Sequence, residues 1–233
     1  MKQLTLGVRL RANAVFASFS PGANAELLSA LHGSNRDPIW LWGNRGCGKT
    51  HLLQAVCAEA SQTAGGATAA YFPLDRSVAL PPQALAGFEN CRVLCVDDVD
   101  AVAGDLDWEQ ALFRLFNEAS ELHTRMIFAA RAAPRHIDWR LDDWRSRAAA
   151  CIVYQVRELD EAGRAEALRL RAAQRGLQLP AETLDYLLKR MPRDLRSLFD
   201  ILDELDEASL VAQRRLTIPF IRDALEKHAR IKS

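Results

Sequence analysis

The 233 residues carry 30 basic and 30 acidic side chains, with 49% apolar and 26% charged content, the make-up of an ordinary soluble globular protein with one large domain or a medium domain plus a small one. Zero net charge supplies no global field to draw the chain onto nucleic acid or an anionic membrane, which argues against DNA binding as its main activity and leaves only a local patch open. No apolar run approaches the ~20 residues a bilayer needs, the N-terminus lacks the apolar core of a secretory signal, and five cysteines without metal-type spacing fit reduced thiols in a cytoplasmic setting.

Residues 1–15 are short on helical periodicity and read as a loosely held tail, within which Leu4, Leu6 and Val8 alternate as a strand would. Asn24 to Leu31 has helical character, with Leu27, Leu28 and Leu31 on one side. The apolar run Ile39-Trp40-Leu41-Trp42 reads as a short buried strand, and the run from Leu52 to Ala58 as a helix. Between them Gly43-Asn44-Arg45-Gly46-Cys47-Gly48-Lys49-Thr50 has the full spacing of a phosphate-binding loop. A strand, a glycine-rich turn and a helix N-terminus aim backbone N–H groups and a positive dipole end at one point. Lys49 is expected to reach the β- and γ-phosphates and Thr50 to hold Mg2+, so the cofactor is ADP or ATP with Mg2+. The plain alternative, a glycine-rich turn that binds nothing, does not account for both the spacing and the flanking elements. His51 follows on the first helical turn, beside the nucleotide or simply packed there.

A second strand is expected at Ala69–Leu74 after the Gly65-Gly66 loop, and a third at Cys91–Val96, with Cys91 and Cys95 as core thiols. The third ends in Asp97-Asp98, two carboxylates delivered by four apolar residues. Asp97 is assigned to the metal and Asp98 to orienting or deprotonating the attacking water, the other reading being a turn-forming pair. A helix from about Asp107 to His123 is predicted to bury Trp108, Ala111, Leu112, Leu115, Phe116, Ala119 and Leu122. Met126–Ala130 and Cys151–Val156 complete five strands, and strands alternating with helices imply a parallel sheet covered on both faces. The polar stretch Arg140–Arg145 precedes Ser146-Arg147. Of the tryptophans, Trp40 and Trp42 read as core, while Trp139 and Trp144 read as packing or as part of a partner surface.

From Arg157 onward the pattern is helical only, roughly Glu161–Arg175, Pro180–Arg190, Asp194–Arg214 and Ile218–Ala229, with Gly176 as a natural helix stop and Thr217-Ile218-Pro219 as a start. The expected organisation is a tail at 1–15, an α/β nucleotide-binding domain at 16–157 and a helical lid at 158–233.

These elements together resemble the AAA+ ATPases, and within them the DnaA branch of bacterial replication proteins. Phe16-Ala17-Ser18-Phe19 with Pro21-Gly22 is similar to the family segment that borders adenine. Leu141–Arg147 is similar to the box that ends in Ser-Arg, which makes Arg147 the counterpart of the arginine finger. Leu195-Arg196-Ser197-Leu198 is similar to sensor 2, with Arg196 facing the nucleotide. Gln3-Leu4-Thr5-Leu6 resembles the peptide by which many proteins dock on the sliding clamp, with Gln3, Leu4 and Leu6 as its contacts.

That combination is similar to the Hda family of DnaA-related regulators, without the helix-turn-helix domain of DnaA within these residues. The resemblance implies a negative regulator of replication initiation, with DnaA and the sliding clamp (the β subunit of DNA polymerase III) as partners. It implies no sequence-specific DNA contact and no membrane contact, and it is compatible with a homo-oligomer. Two positions depart from the family pattern: Gly48-Lys49-Thr50 is intact where Hda members often weaken the loop, and Ala129-Ala130-Arg131 stands where a polar sensor 1 residue is usual. A self-contained ATPase that loads or remodels a replication protein is the alternative.

Overall fold

The structure is a computed structural model that describes residues 14–33, 35–62, 69–75, 80–190, 195–212 and 217–222. Contacts divide the chain after Glu158 into two compact units, Met1–Glu158 and Leu159–Ser233.

In the first unit α1 (Ala25–His32), β1 (Ile39–Trp42), α2 (Lys49–Gln62), β2 (Ala69–Pro73), β3 (Val93–Asp97), α3 (Leu106–Glu121), β4 (Arg125–Ala130), α4 (Asp142–Ala149) and β5 (Ile152–Gln155) follow in order. The strands form one sheet in the order β2-β3-β4-β1-β5, with every pairing parallel. Apolar residues fill β1, β3 and β4 because neighbours cover these strands on both faces. On one face Trp40, Phe128, Phe116, Trp139 and Trp144 pack together, Trp144 lying edge-on to Phe128 and Trp139 at ring-centroid distances of 5.7 and 5.9 Å. On the other face Leu27, Leu31, Leu52, Leu53 and Val56 cover Ile39, Leu41, Cys95 and Ile127. The parallel α/β expectation therefore holds, and the P-loop strand β1 sits between β4 and β5.

Several details differ from the sequence reading. The polar stretch near Arg140 turns into α4, whose inward apolar contacts are only Trp144 and Ala148, one turn apart. Trp139 and Trp144 are 2% and 0% exposed, so they are packing residues and present no surface to a partner. Leu122 falls just past the end of α3 and is 54% exposed, outside the buried stripe expected to include it. Among the described residues no helix is long and apolar enough to cross a membrane.

The second unit is helical: α5 (Glu161–Gln174), α6 (Ala181–Arg190), α7 (Leu195–Ala212) and a further helical stretch at 218–222. Leu168, Ala172, Leu184, Leu198 and Leu202 form one cluster, while Leu187, Leu205 and Ile221 form another. Arg171 of α5 and Arg175, its C-cap, pair with Asp203 of α7 at 3.0 and 2.9 Å, and Arg175 also with Asp206 at 3.1 Å. These pairs are partly wet and add little beyond orientation. Gly176 ends α5 at φ 71°, with its N–H donating to Ala173 at 3.0 Å and that of Leu177 to Ala172 at 2.9 Å. Nothing lies within 4 Å of a Cβ placed on Gly176, so the cost of a side chain there is backbone strain alone. Gly176→Ala is expected to destabilise the helical unit by about 1 kcal/mol, read as a shift of its urea transition to lower concentration by circular dichroism.

Candidate functional site

The loop between β1 and α2 closes tightly upon itself. A Cβ on Gly43 would come 2.6 Å from the Val156 carbonyl oxygen and 3.0 Å from Cys47 Sγ. Gly48 adopts φ 105°, and a Cβ there would come 2.7 Å from Phe19 Cε2. Both positions exclude side chains, which is what a main-chain cradle for phosphate requires. Lys49 is buried, and its ammonium donates to the carbonyls of Gly43 at 2.7 Å and Asn44 at 2.9 Å, with Cys47 Sγ at 3.8 Å. The positive charge is thus held within the curve of the loop, where phosphate oxygens would compete for the same hydrogens. Burial pushes the Cys47 thiol up, against the opposing charge of Lys49.

Asp97 ends β3 at 1% exposure. Its Oδ2 accepts from Thr50 Oγ1 at 2.6 Å and from the Tyr71 hydroxyl at 2.8 Å, and its Oδ1 from the Asp98 N–H at 3.0 Å. Burial still raises its carboxyl above the ordinary value, with those three bonds pulling the other way. Burial raises the Tyr71 hydroxyl too, reinforced by the charge of Asp97. Thr50 and Asp97 thereby present two hard oxygens side by side next to the loop, a donor set suited to Mg2+ that keeps waters and phosphate oxygens as its other ligands. Asp98 sits in the left-handed region at φ 53° and ψ 43°. Burial pushes its carboxyl up to about 6, with further increments from Asp97, Asp75 and Asp100 and an opposing one from Lys49.

The remaining residues singled out in the sequence lie as follows. His51 Nε2 is 3.1 Å from the Val15 carbonyl oxygen and 3.2 Å from Ser18 Oγ, so its ring is engaged with the segment that precedes α1. Phe19 of that segment covers Gly48 and lies 5.9 Å from the His51 ring. Arg147 is exposed on the last turn of α4, its guanidinium carbon 6.0 Å from the ring centroids of both Phe113 and Phe116. Arg196 belongs to α7 in the second unit, and its side chain lies outside the described residues, as do Gln3, Leu4 and Leu6. Ala129 and Ala130 end β4 with no polar side-chain atom, and Arg131 is taken up by Asp100, whose Oδ1 accepts its N–H at 3.1 Å and whose Oδ2 is 3.5 Å from its Nε.

Two contributors had no sequence signal of their own, and a third, Asn44, was marked only as part of the phosphate loop. Tyr71 completes the Asp97 hydrogen bonds from a neighbouring strand. Asn24, 2% exposed, donates to the Arg157 carbonyl at 3.0 Å and accepts its N–H at 2.8 Å. Asn44 of the loop donates to Glu158 Oε1 at 2.9 Å.

Residues 16–155, more than half of the chain, match the family model of the bacterial DnaA ATPase domain, and residues 160–225 match that of the Hda lid domain. Domain III of the Thermotoga maritima replication initiation protein DnaA superposes with a TM-score of 0.78 over 93% of this chain and 97% of its own, at 22% identity, a likeness of fold. AMPPCP-bound DnaA from Aquifex aeolicus is 26% identical with a TM-score of 0.71, over 84% of this chain and 65% of that one. A replication initiator DnaA bound to AMPPCP and single-stranded DNA is 25% identical with a TM-score of 0.70, over 88% and 70% respectively.

The Asp98 environment has a consequence for stability. An acid raised from 3.8 to about 6 holds its proton more tightly in the folded state. Its ionisation therefore costs stability from about pH 4 upward, in full above about pH 6. Asp98→Asn is expected to raise the urea midpoint of the first unit at about pH 7.5, with the gap closing below about pH 4; tryptophan fluorescence across a pH series measures it.

Proposed function

The chain belongs to the bacterial DnaA ATPase-domain family, and from that premise we propose that it is a nucleotide-bound negative regulator of replication initiation. Acting with the sliding clamp loaded on DNA, it stimulates hydrolysis of the ATP held by DnaA through Arg147, supplied in trans. The observation that carries this reading is the placement of Arg147. It is exposed on a short helix, it rests against two aromatic rings, and among the described residues no carboxylate pairs with it. Such a guanidinium is available to negative charge on another molecule.

In its own site the chain holds ADP or ATP. The main chain of Gly43, Asn44, Gly46, Cys47 and Gly48 surrounds the phosphates, Lys49 binds the terminal ones, and Thr50 with Asp97 holds Mg2+. When bound, Mg2+ supplies neutralisation of phosphate charge. Phe19, from the segment before α1, and His51 border the nucleotide, and Asp98 orients the attacking water. Ala129 and Ala130 offer that water no second polar group, which favours retention of the nucleotide over rapid turnover. In the complex with DnaA, Arg147 neutralises charge that builds on the transferring phosphoryl oxygens, an effect worth about 10³–10⁵ in rate in phosphoryl transfer generally. Gln3, Leu4 and Leu6 dock on the clamp, and joining that contact to the DnaA contact raises effective concentration without enlarging either interface.

A self-contained ATPase is the second reading, favoured by the intact Lys49, Thr50 and Asp97 arrangement. Phosphate release from DnaA-bound labelled ATP, with clamp-loaded DNA, separates the two. Arg147→Ala is expected to abolish the acceleration while nucleotide affinity in the chain's own site stays unchanged. Equal acceleration by both forms would overturn the finger assignment, and rapid turnover by this chain alone would establish the second reading. Replacing Leu4 and Leu6 with Ala is expected to remove the benefit of loaded clamp and to leave nucleotide binding intact, as measured by the same assay with and without clamp.

A further inference from the structure

One buried charge in the first unit serves neither the phosphate loop nor the carboxylates around Asp97. Glu109, on the first turn of α3, is 0% exposed. Its Oε1 accepts the Gly104 N–H at 2.8 Å, and its Oε2 accepts the N–H groups of Arg140 at 2.9 Å and Leu141 at 2.7 Å. Leu141 is the residue from which α4 begins, and its carbonyl accepts the first helical bond, from the Arg145 N–H at 3.0 Å. A leucine has no oxygen with which to cap a helix, and α4 has no side-chain cap of its own. A carboxylate from another helix, 32 residues away in sequence, grips the peptides where α4 starts instead. Taking that charge out of water is costly, and removing it alone would leave three N–H donors without their acceptor.

The same side of α3 continues toward the finger. Phe113 and Phe116 follow Glu109 at the fourth and seventh positions, the spacing of one helical face. The Arg147 guanidinium carbon lies 6.0 Å from both rings. Because α4 has only 8 residues, Arg147 stands less than two turns beyond Leu141, so a shift at the helix start carries through to the guanidinium. We infer that Glu109 is a positioning residue for Arg147. It sets where α4 begins and how it is directed, and thereby where the finger points, without touching nucleotide or partner.

This inference rests on the reading of Arg147 as a finger in trans, and the test separates failure of one from failure of the other. Glu109→Gln, Arg147→Ala and the double variant are compared in hydrolysis of DnaA-bound ATP with clamp-loaded DNA. For Glu109→Gln the maximal stimulated rate is expected to fall roughly tenfold, while the concentration giving half-maximal stimulation stays within about twofold. The double variant should be no worse than Arg147→Ala alone, because both act through one group. An unchanged maximum with Glu109→Gln, or an additive loss in the double variant, would overturn the inference.

If Arg147→Ala leaves the rate unchanged, the finger reading itself falls. Amide hydrogen exchange then decides the role of Glu109 at the helix start. Protection of the Arg140 and Leu141 N–H groups should drop in Glu109→Gln, with β1 and β3 unaffected, and retained protection would refute it. Glu109→Asp, one methylene short with its charge kept, is the milder variant for the same measurements if Glu109→Gln fails to fold.

Discussion

Asp97 is a carboxylate taken almost wholly out of water, and the arrangement of the site follows from making that tolerable. Three donors converge on it, one from α2, one from β2 and one from the following peptide. Each also fixes something else: Thr50 sets the first turn of α2 against β3, and Tyr71 ties the edge strand β2 to its neighbour. The Asp98 N–H reaches back to the Asp97 side chain, and Asp98 itself takes a left-handed conformation, which an aspartate tolerates better than most residues. The phosphate loop is anchored at its far end by the same cluster, since Lys49 and Thr50 are adjacent on the helix. Removing the buried carboxylate would therefore loosen three elements at once.

Much of this was legible in the sequence, for identifiable reasons. The phosphate loop is a local motif in which eight consecutive residues define the geometry, and the strands that flank it are unbroken apolar runs because both faces of the sheet are covered. The stripe on α3 follows helical spacing through Ala119 and fails at Leu122, where the helix has already ended at Glu121. The helix α4 was not legible because only Trp144 and Ala148 mark its inner face, and its start is secured by Glu109 rather than by a residue of its own. Glu109 was missed for the complementary reason: periodicity treats an acid as a solvated position, and two of its three partners are backbone groups of a distant loop. Tyr71 donates across strands, a relation that no local spacing encodes.

Beyond the buried Val156, the exit from β5 is held by side-chain amides. Asn24 matches both polar groups of the Arg157 peptide, and Asn44 of the phosphate loop holds the next residue, Glu158. The Asn44 carbonyl is also one of the two that receive Lys49. The glycine-rich loop and the last residues of the first unit therefore share one hydrogen-bonded framework.

All five tryptophans of the chain lie before Glu158, and each packs in or against the single core cluster over the α3 face of the sheet. The helical unit contains none. The intrinsic indole emission of this protein is consequently a private optical channel of the α/β unit, whereas the far-ultraviolet dichroism is dominated by helices from both. A divergence between the two signals during denaturation would resolve the melting of one unit from the other without any label being attached.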